Sequence, residues 1–271
     1  MVEEYDHVGL TRGSESFFSP ISDTQQIQSQ LFANIPAGVT VDSISYVGHP
    51  SSTAIYSGLN WSSGSSQIQL PDGVFLCSGV VPPLENTLGA WSWSTGQPGD
   101  IQLQGLLGYP TFDASGIIVS FTTDAFVDTM ELRLVFGSDE YPEFLGLQYN
   151  DGIGVFLDGS NIAFDGQGRP ITVSGGSLTL NNSGLSVPGG TPVQFPIEYD
   201  GLTLPVVVTA PLTPGSHQLR IVIADGLDRY VDSGVFIGSL SFSFDCPGTA
   251  PPPVLTELPE VVNVLSASSL S

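Results

Sequence analysis

Short runs of alternating apolar and polar residues recur along the chain. In MELRLVF, residues 130–136, Leu132, Leu134 and Phe136 fall on one face of an extended chain, and Glu131 and Arg133 fall on the other. A period of two residues is typical of a strand that buries one face and exposes the other. This segment therefore predicts a half-buried β-strand.

Other segments carry the same alternation or a short continuous apolar run. The predicted strands are GVTVDSISYVG (38–48), GVFLCSGVV (73–81), GIIVSF (116–121), GIGVFLDG (152–159), PVVVTA (205–210), HQLRIVIA (217–224) and GVFIGSLSFSF (234–244). Ser22 and Asp23 are good N-caps and predict one short helix near 23–33. Stretches rich in Gly, Ser and Pro, at 57–68 and 82–115, predict loops. The pattern predicts an all-β fold, an antiparallel β-sandwich with jelly-roll-like connections and one short N-terminal helix.

The two ends of the chain differ from its middle. Residues 1–21 are polar and irregular, and we expect an N-terminal arm. The sandwich is predicted over 22–246. Residues 247–271 begin with a Pro-rich stretch, which favours a stiff extended linker, and end in VVNVLSASSLS, which is apolar enough to add a strand to a partner's sheet. The arm and the tail therefore predict protein partners in a larger assembly.

The charge balance excludes several kinds of partner. The chain has 27 Asp and Glu residues against 5 Lys and Arg, for a net charge of −22. Such a chain repels nucleic acid and anionic lipid surfaces. No window reaches the ~18 apolar residues of a membrane span. The N-terminus, MVEEYDHVGL, lacks the basic start of a signal peptide. We expect no nucleic acid, no membrane span and no signal peptide in this chain.

The two cysteines give no motif. Cys77 and Cys246 lie far apart and form no C-x-x-C pattern, so zinc is not indicated. One disulfide that closes a long loop and two buried thiols are both compatible with the sequence.

Carboxylates concentrate in two segments, each directly after a predicted strand. Calcium takes six to eight oxygen ligands, mostly from carboxylates and carbonyls on loops. Two acidic loops that meet at one end of a sandwich can supply that number, and calcium is the predicted cofactor. The alternative is that these acids bind their own backbone in turns. EF-hand spacing is absent. The candidate metal ligands are Asp139, Glu140, Glu143, Asn150, Asp151, Asp225, Asp228 and Asp232.

Aromatic residues flank the acidic segments. Trp91 and Trp93 are separated by one serine, so an extended chain places both indoles on one side. Tyr141 and Phe144 lie among the acids themselves. Aromatic rings exposed on loops stack on sugar rings or anchor protein interfaces. These four residues are therefore candidate ligand contacts; the alternative is that they cover the ends of the sandwich.

The sequence does not favour catalysis. Glu140 and Glu143 resemble the acid pair of a glycosidase, but they lie only three positions apart. His7, His49 and His217 are dispersed. No G-x-S-x-G, H-E-x-x-H or P-loop motif occurs. We expect a protein that is not an enzyme.

Two phrases in the acidic region carry a family resemblance. FGSDEYPEF (136–144) followed by NDGIGVFLDG (150–159) is similar to the hallmark of the choice-of-anchor L domain family, in which a phrase like FGSEEYPE leads into a segment like NDVFGFFL. IPAGVTVDSISYVG, DGVFLCSG, PGDIQLQGLLGYPTFDASGIIVSFTT and HQLRIVIADGLDRYVDSGVFI fit in the same order. The resemblance covers about residues 23–245.

This resemblance implies an extracellular module. The family comprises bacterial surface and secreted proteins whose C-termini carry varied anchoring signals, and adhesion or a structural role is the function it implies. This chain carries no sorting motif or hydrophobic anchor. We therefore expect a structural or adhesive module on a virion or cell exterior, such as a tail, fibre, decoration or surface-filament component. A glycan-binding adhesin is the alternative, and a carbohydrate-active enzyme is a third.

Overall fold

Two β-sheets packed face to face confirm the antiparallel β-sandwich predicted from the sequence. The computed structural model describes residues 17–87 and 89–244. The helices are α1 (Thr24–Leu31) and α2 (Ile101–Leu107). The strands, in chain order, are β1 (Phe18–Pro20), β2 (Val39–Val47), β3 (Thr53–Tyr56), β4 (Leu59–Ser63), β5 (Ser66–Leu70), β6 (Gly73–Cys77), β7 (Thr111–Thr123), β8 (Thr129–Ser138), β9 (Gly152–Leu157), β10 (Ser160–Asn161), β11 (Ile171–Thr172), β12 (Leu180–Asn181), β13 (Thr191–Pro192), β14 (Gly201–Leu202), β15 (Val206–Pro211), β16 (Gly215–Gly226), β17 (Ser233–Gly238) and β18 (Ser241–Ser243).

Strand β8 is the centre of the larger sheet. One of its edges pairs with β17 and β18, and the other pairs with β14 and β15. Beyond β17 the sheet continues through β6 and β3 to β1. Beyond β14 it continues through β12 to β13. Among the described strands every pairing is antiparallel except that of β12 with β13.

The smaller sheet has the order β2, β7, β16 and β9, and β10 and β11 both pair with β9. Strand β2 forms one edge. A bulge interrupts its ladder, because Val41 pairs with Phe121 and Ser43 pairs with the next residue of β7, Ser120. Asp42 is the extra residue; it is exposed, and its carboxylate accepts a hydrogen bond from the Thr122 hydroxyl at 2.9 Å.

The core between the sheets follows the predicted alternation. Leu132, Leu134 and Phe136 are fully buried, whereas the Arg133 side chain is 58% exposed and pairs with Glu131. The smaller sheet contributes to the same core Ile117, Val119, Phe121, Ile153, Val155, Leu219, Ile221 and Ile223.

Further layers cover the outer faces of both sheets. Helix α2 lies on the smaller sheet, where Leu103 packs against Phe156 and Val222. These two strand residues alternate with core residues, so they belong to the opposite face of the sheet. The outer face of the larger sheet is covered by the hairpin of β4 and β5 and by a cluster that includes Tyr56, Leu59, Ile68, Phe75, Tyr199 and Phe236.

Helix α1 confirms the predicted N-terminal helix, and Asp23 caps it by accepting a hydrogen bond from the Gln26 amide at 3.1 Å. The predictions of loops at 57–68 and 82–115 are wrong in part. The first stretch contains the hairpin of β4 and β5, and the second contains α2. Helix α2 has only seven residues, too few for a clear helical period, and it depends on packing and on its Asp100 cap.

The structure describes only residues 17–21 of the predicted arm and no residue of the predicted tail. Phe18–Pro20 lies within the predicted arm, and it pairs with β3 at the edge of the larger sheet. Residues 1–16 lie outside the described residues, as do residues 245–271, which include Cys246 and the predicted tail. Cys77 is fully buried at the end of β6.

The chain crosses from one sheet to the other repeatedly at one end of the sandwich, and three of these connections carry the predicted site residues or border them. Residues 78–110 connect β6 to β7, residues 139–151 connect β8 to β9, and residues 227–232 connect β16 to β17. The registers place these strand ends side by side, since Ser233 pairs with Ser138 and Gly226 pairs with Thr111. We call this the crossing end. Both predicted acidic segments lie there.

Two neighbouring positions on β8 test the alternation. Leu134→Ala leaves a cavity between the sheets and is expected to lower the free energy of unfolding by about 2–5 kcal/mol. Arg133→Ala removes an exposed side chain and should change it by no more than about 0.5 kcal/mol. Denaturant unfolding of both variants measures the difference. Equal losses would contradict the assignment of the two faces.

Candidate functional site

Five of the eight predicted metal ligands are buried at the crossing end. They are Asp139, Glu140, Asp151, Asp225 and Asp232. These residues come from the two predicted acidic segments. Both segments lie at the crossing end because β8 and β16 end there. Together with Asp113, these residues are called the acidic cluster below.

Asp113 is the one member of the cluster that was not among the predicted metal ligands. It is buried in β7, with φ at 47°. Its carboxylate accepts hydrogen bonds from Ser94 at 2.8 Å and Thr95 at 3.0 Å, and it pairs with Arg229 at 2.7 Å. The sequence signal for Asp113 was a single Asp inside an apolar β-run. Such a residue indicates a site less clearly than a run of acids in a loop.

Asp151 has its own donors. Its two oxygens accept hydrogen bonds from the Gly226 amide at 2.9 Å and from the Ser233 hydroxyl at 2.7 Å. The Asp151 amide in turn donates to Glu140 at 3.1 Å. These bonds tie the connection between β8 and β9 to the ends of β16 and β17.

Asp139 and Asp232 fix the backbone of the tryptophan segment. The Trp91 amide donates to Asp139, and the Trp93 amide donates to Oδ2 of Asp232 at 2.9 Å. The Asp232 amide donates back to the Trp91 carbonyl at 2.9 Å. Gly79 makes room for this arrangement, because a Cβ there would lie 1.7 Å from Oδ2 of Asp232.

Two members of the cluster retain oxygens with no donor. Within the described residues, neither carboxylate oxygen of Asp225 has a hydrogen-bond partner of normal geometry, and the same is true of Oδ1 of Asp232. Both residues are completely buried. A buried polar atom without a partner is costly, because it has lost water and gained nothing in return.

Burial raises the pKa of most of the cluster. Desolvation is the largest cause for Asp225, and the charge of Asp232 adds to it, while the nearby Ser78 hydroxyl opposes it; the pKa of Asp225 lies well above its ordinary value. Burial also raises the pKa of Asp232 to about 8. It raises the pKa of Asp139 to about 7. The pKa of Glu140 also rises to about 7 through burial.

Three of the predicted ligands are not brought into the acidic cluster. Glu143 is exposed. Oδ1 of Asn150 accepts a hydrogen bond from the Ser174 amide at 2.8 Å. Oδ1 of Asp228 accepts one from the Tyr230 amide at 3.1 Å, so this residue binds its own turn. Over the described part of the chain, no group of three or more His, Cys, Asp and Glu side chains is arranged to hold a metal ion.

Two exposed aromatic rings stand beside the acidic cluster. Trp93 is 50% exposed, and Tyr230 is 67% exposed. Their backbones are neighbours, because the amide of Val231 donates to the Ser92 hydroxyl at 2.9 Å. Tyr230 was not among the predicted contacts. It lies between Asp228 and Asp232, so this turn was predicted as a metal-binding segment and not as a contact surface.

The other predicted contact residues are less accessible. Trp91 is half-buried; its ring lies 6.1 Å from that of Trp93, and its indole N–H donates to the Val80 carbonyl at 3.2 Å. Phe144 is also half-buried and packs against Tyr149. Tyr141 is 3% exposed, because its ring packs over Gly201. Its ring is therefore not part of the protein surface.

The fold and the site define a β-sandwich that gathers buried carboxylates and exposed aromatic rings at one end. The family model of the choice-of-anchor L domain matches residues 20–243. The chain therefore belongs to the choice-of-anchor L domain family, as its two signature phrases predicted. Membership points to a cell-surface or secreted protein. Among the described residues, no helix is long and apolar enough to cross a membrane.

The other comparisons add little. No curated protein matches the chain. A family 35 carbohydrate binding module from an environmental isolate is 18% identical, with 56% of this chain and 91% of that chain covered and a TM-score of 0.22. Such a module from Clostridium thermocellum is 9% identical, with 72% and 98% covered and a TM-score of 0.22. An exo-beta-1,3-galactanase from Phanerochaete chrysosporium is 11% identical, with 74% and 29% covered and a TM-score of 0.20. Likeness at these TM-scores carries no argument about function.

The raised pKa values predict how stability depends on pH when a chelator removes divalent cations. A carboxyl whose pKa is higher in the folded state stabilises the fold below its unfolded pKa of about 4, and this contribution is lost as pH rises through the folded pKa. We expect the melting temperature to fall between pH 5 and pH 8, where Asp139, Glu140 and Asp232 lose their protons. A difference of one in pKa corresponds to about 1.4 kcal/mol.

Asp232→Asn is the control for this measurement. General repulsion within the acidic surface acts on both proteins alike, so a shallower slope in the variant isolates the buried carboxyl. A melting temperature that rises with pH over this range, or equal slopes for the two proteins, would contradict the prediction.

Proposed function

We propose that this chain is a non-catalytic adhesive module of a cell or virion exterior that contacts its partner through the crossing end. The observation that carries the proposal is the exposed pair Trp93 and Tyr230, on two loops that hydrogen bonds hold together. Trp and Tyr dominate binding energy in protein interfaces. Family membership supports the exterior setting.

The backbone beneath these rings is fixed before any partner arrives. The amides of Trp91 and Trp93 are held by Asp139 and Asp232. A contact surface that is already ordered loses less conformational entropy on binding, so more of its interaction energy contributes to affinity. The acidic cluster thus holds the backbone that carries the rings, and this fixed backbone supports the adhesive role.

The acid pair considered for catalysis is divided between the interior and the surface. Glu140 is 1% exposed and accepts a hydrogen bond from the Asp151 amide, whereas Glu143 is exposed to solvent. A glycosidase needs both carboxyls on either side of one scissile bond. This separation supports a module that binds without turnover.

A glycan is the second candidate partner. The favouring observation is that exposed aromatic faces lie beside polar groups, with the exposed Ser94 next to Trp93 and the half-exposed Asp228 near Tyr230. Sugars present an apolar face and a rim of hydroxyls, which match such a surface. The net charge of −22 favours neutral over anionic sugars.

Assembly through the arm and the tail is a separate proposal, because both lie largely outside the described residues. Deletion of 247–271 tests it. The truncated chain should keep its melting temperature and fail to join a larger particle or filament. Normal incorporation of the truncated chain would remove the tail from the proposal.

The contact surface is tested by removing the two rings. Trp93→Ala and Tyr230→Ala are each expected to weaken binding to target cells or to arrayed oligosaccharides by about tenfold or more, as residues at the centre of an interface do. Phe126→Ala is the matched control, since Phe126 is 74% exposed in the turn between β7 and β8 at the opposite end. Its binding should be unchanged.

A double variant of Trp93 and Tyr230 that binds as well as the native chain would overturn the proposed surface. If binding to cells is lost but no arrayed oligosaccharide binds even the native chain, the partner is a protein and the glycan candidate fails.

A further inference from the structure

The acidic cluster has an uneven distribution of partners. Asp113 pairs with Arg229 and accepts from two hydroxyls, and both oxygens of Asp151 have donors. Asp139 accepts the Trp91 amide. Asp225 has no partner at either oxygen, and Asp232 lacks one at Oδ1. The uncompensated part of the cluster therefore amounts to two carboxylates, from Asp225 and Asp232.

These two carboxylates belong together. Residues 78–79 lie against this pair, because a Cβ on Gly79 would lie 1.7 Å from Oδ2 of Asp232. The neighbouring Ser78 hydroxyl accepts from the Ser233 amide at 3.0 Å and acts on Asp225. The crossing loop that carries Asp232 begins directly after the strand that carries Asp225. The Tyr199 hydroxyl is also buried without a partner among the described residues, and both aspartates act on it. The three unpartnered carboxylate oxygens of Asp225 and Asp232 indicate a missing positive group.

Protonation alone does not satisfy these oxygens. A proton on Asp225 would remove its charge, but it would leave the second oxygen of Asp225 and Oδ1 of Asp232 without donors among the described residues. Arginine cannot take this place, since Arg229 is engaged by Asp113 and by the Gln97 carbonyl. A divalent cation would neutralise both carboxylates at once and occupy their unpartnered oxygens.

We propose that Asp225 and Asp232 bind one calcium ion at the crossing end, with neutral oxygens completing its shell. Because no group of three acidic, His or Cys side chains is arranged for a metal within 17–87 and 89–244, the remaining ligands are neutral. The Ser78 hydroxyl is one candidate, since it acts on Asp225, and the Ser233 carbonyl, 3.4 Å from that hydroxyl, is another. Two carboxylates and Ca²⁺ together carry no net charge, which suits a buried site.

The donor chemistry selects calcium over other cations. All donors named here are oxygens on strand ends and loops, and calcium accepts six to eight such ligands in irregular geometry. Magnesium demands near-ideal octahedral geometry and keeps several waters, which a completely buried pair of carboxylates does not favour. Zinc prefers nitrogen and sulfur ligands. Bound calcium would hold the connection between β16 and β17 against the segment that follows β6.

Calcium binding is tested on the full chain by titration calorimetry and by thermal melting at pH 7.5 and constant ionic strength. One calcium ion per chain should bind, and the melting temperature should rise with each increase in calcium concentration, since calcium binds the folded state. Magnesium at the same concentrations should raise it much less. No calcium-dependent rise, or an equal rise with magnesium, overturns the proposal.

Asp225→Asn separates a metal ligand from a structural residue. In chelator the variant should melt at or above the native temperature, because a buried charge without a partner has been removed. In calcium it should melt below the native chain and show no rise. A variant that melts lower than the native chain in both conditions, or that keeps the calcium-dependent rise, overturns the proposal.

Two more variants complete the design. Asp232→Asn keeps an oxygen for the Trp93 amide and should also lose the calcium-dependent rise. Asp228→Asn removes the same charge from the same loop, and its side-chain oxygen can still accept from the Tyr230 amide, so its response to calcium should remain native. Loss of the response in Asp228→Asn, or its retention in Asp232→Asn, contradicts the assignment. Calcium binding is independent of the partner, so it can fail or hold without deciding the adhesive role.

Discussion

Carboxylates at the ends of β8 and β16 lie in the gap between two sheets, where water cannot screen them. In such a place a like charge or a missing donor costs far more free energy than at the surface. Backbone amides, the hydroxyls of Ser94, Thr95 and Ser233 and the guanidinium of Arg229 are directed at the acids, although Asp225 receives no donor from the described residues. The buried carboxylates need hydrogen-bond donors, and the loops of the crossing end adopt the conformations that supply them.

Several elements become one unit for this reason. Asp113 fixes residues 94–95 and Arg229, while Asp139 and Asp232 fix the amides of Trp91 and Trp93. The backbone bears the strain of this arrangement, since Val231 has φ at 62°, an unfavourable value for a β-branched residue. Outlying backbone angles of this kind are tolerated where surrounding contacts enforce them. The positions of the exposed rings of Trp93 and Tyr230 therefore depend on the buried acids.

The pattern of alternation and short apolar runs predicted the longer strands of both sheets, because burial between two sheets requires a period of two, but it did not predict β1, β3 or β14. It could not reveal α2, which is too short to show a helical period, or β4 and β5, whose serines resemble a loop. In the site, the position of the acids after predicted strands identified Asp225 and Asp232 as candidate metal ligands. Local sequence could not separate these from Asp228, which lies in the same loop and binds its own turn. Nor could it show that Tyr141 faces inward, which depends on Gly201 from a distant segment.

The bulge in β2 has a consequence for contacts between two copies of the chain. An exposed edge strand offers unpaired amides and carbonyls to the edge of a neighbouring molecule, and sheets can join in this way. Asp42 stands at the interruption of the β2 ladder, where a neighbouring strand would have to pair with an irregular, charged backbone. Two copies are thereby hindered from joining through their β2 edges into one continuous sheet.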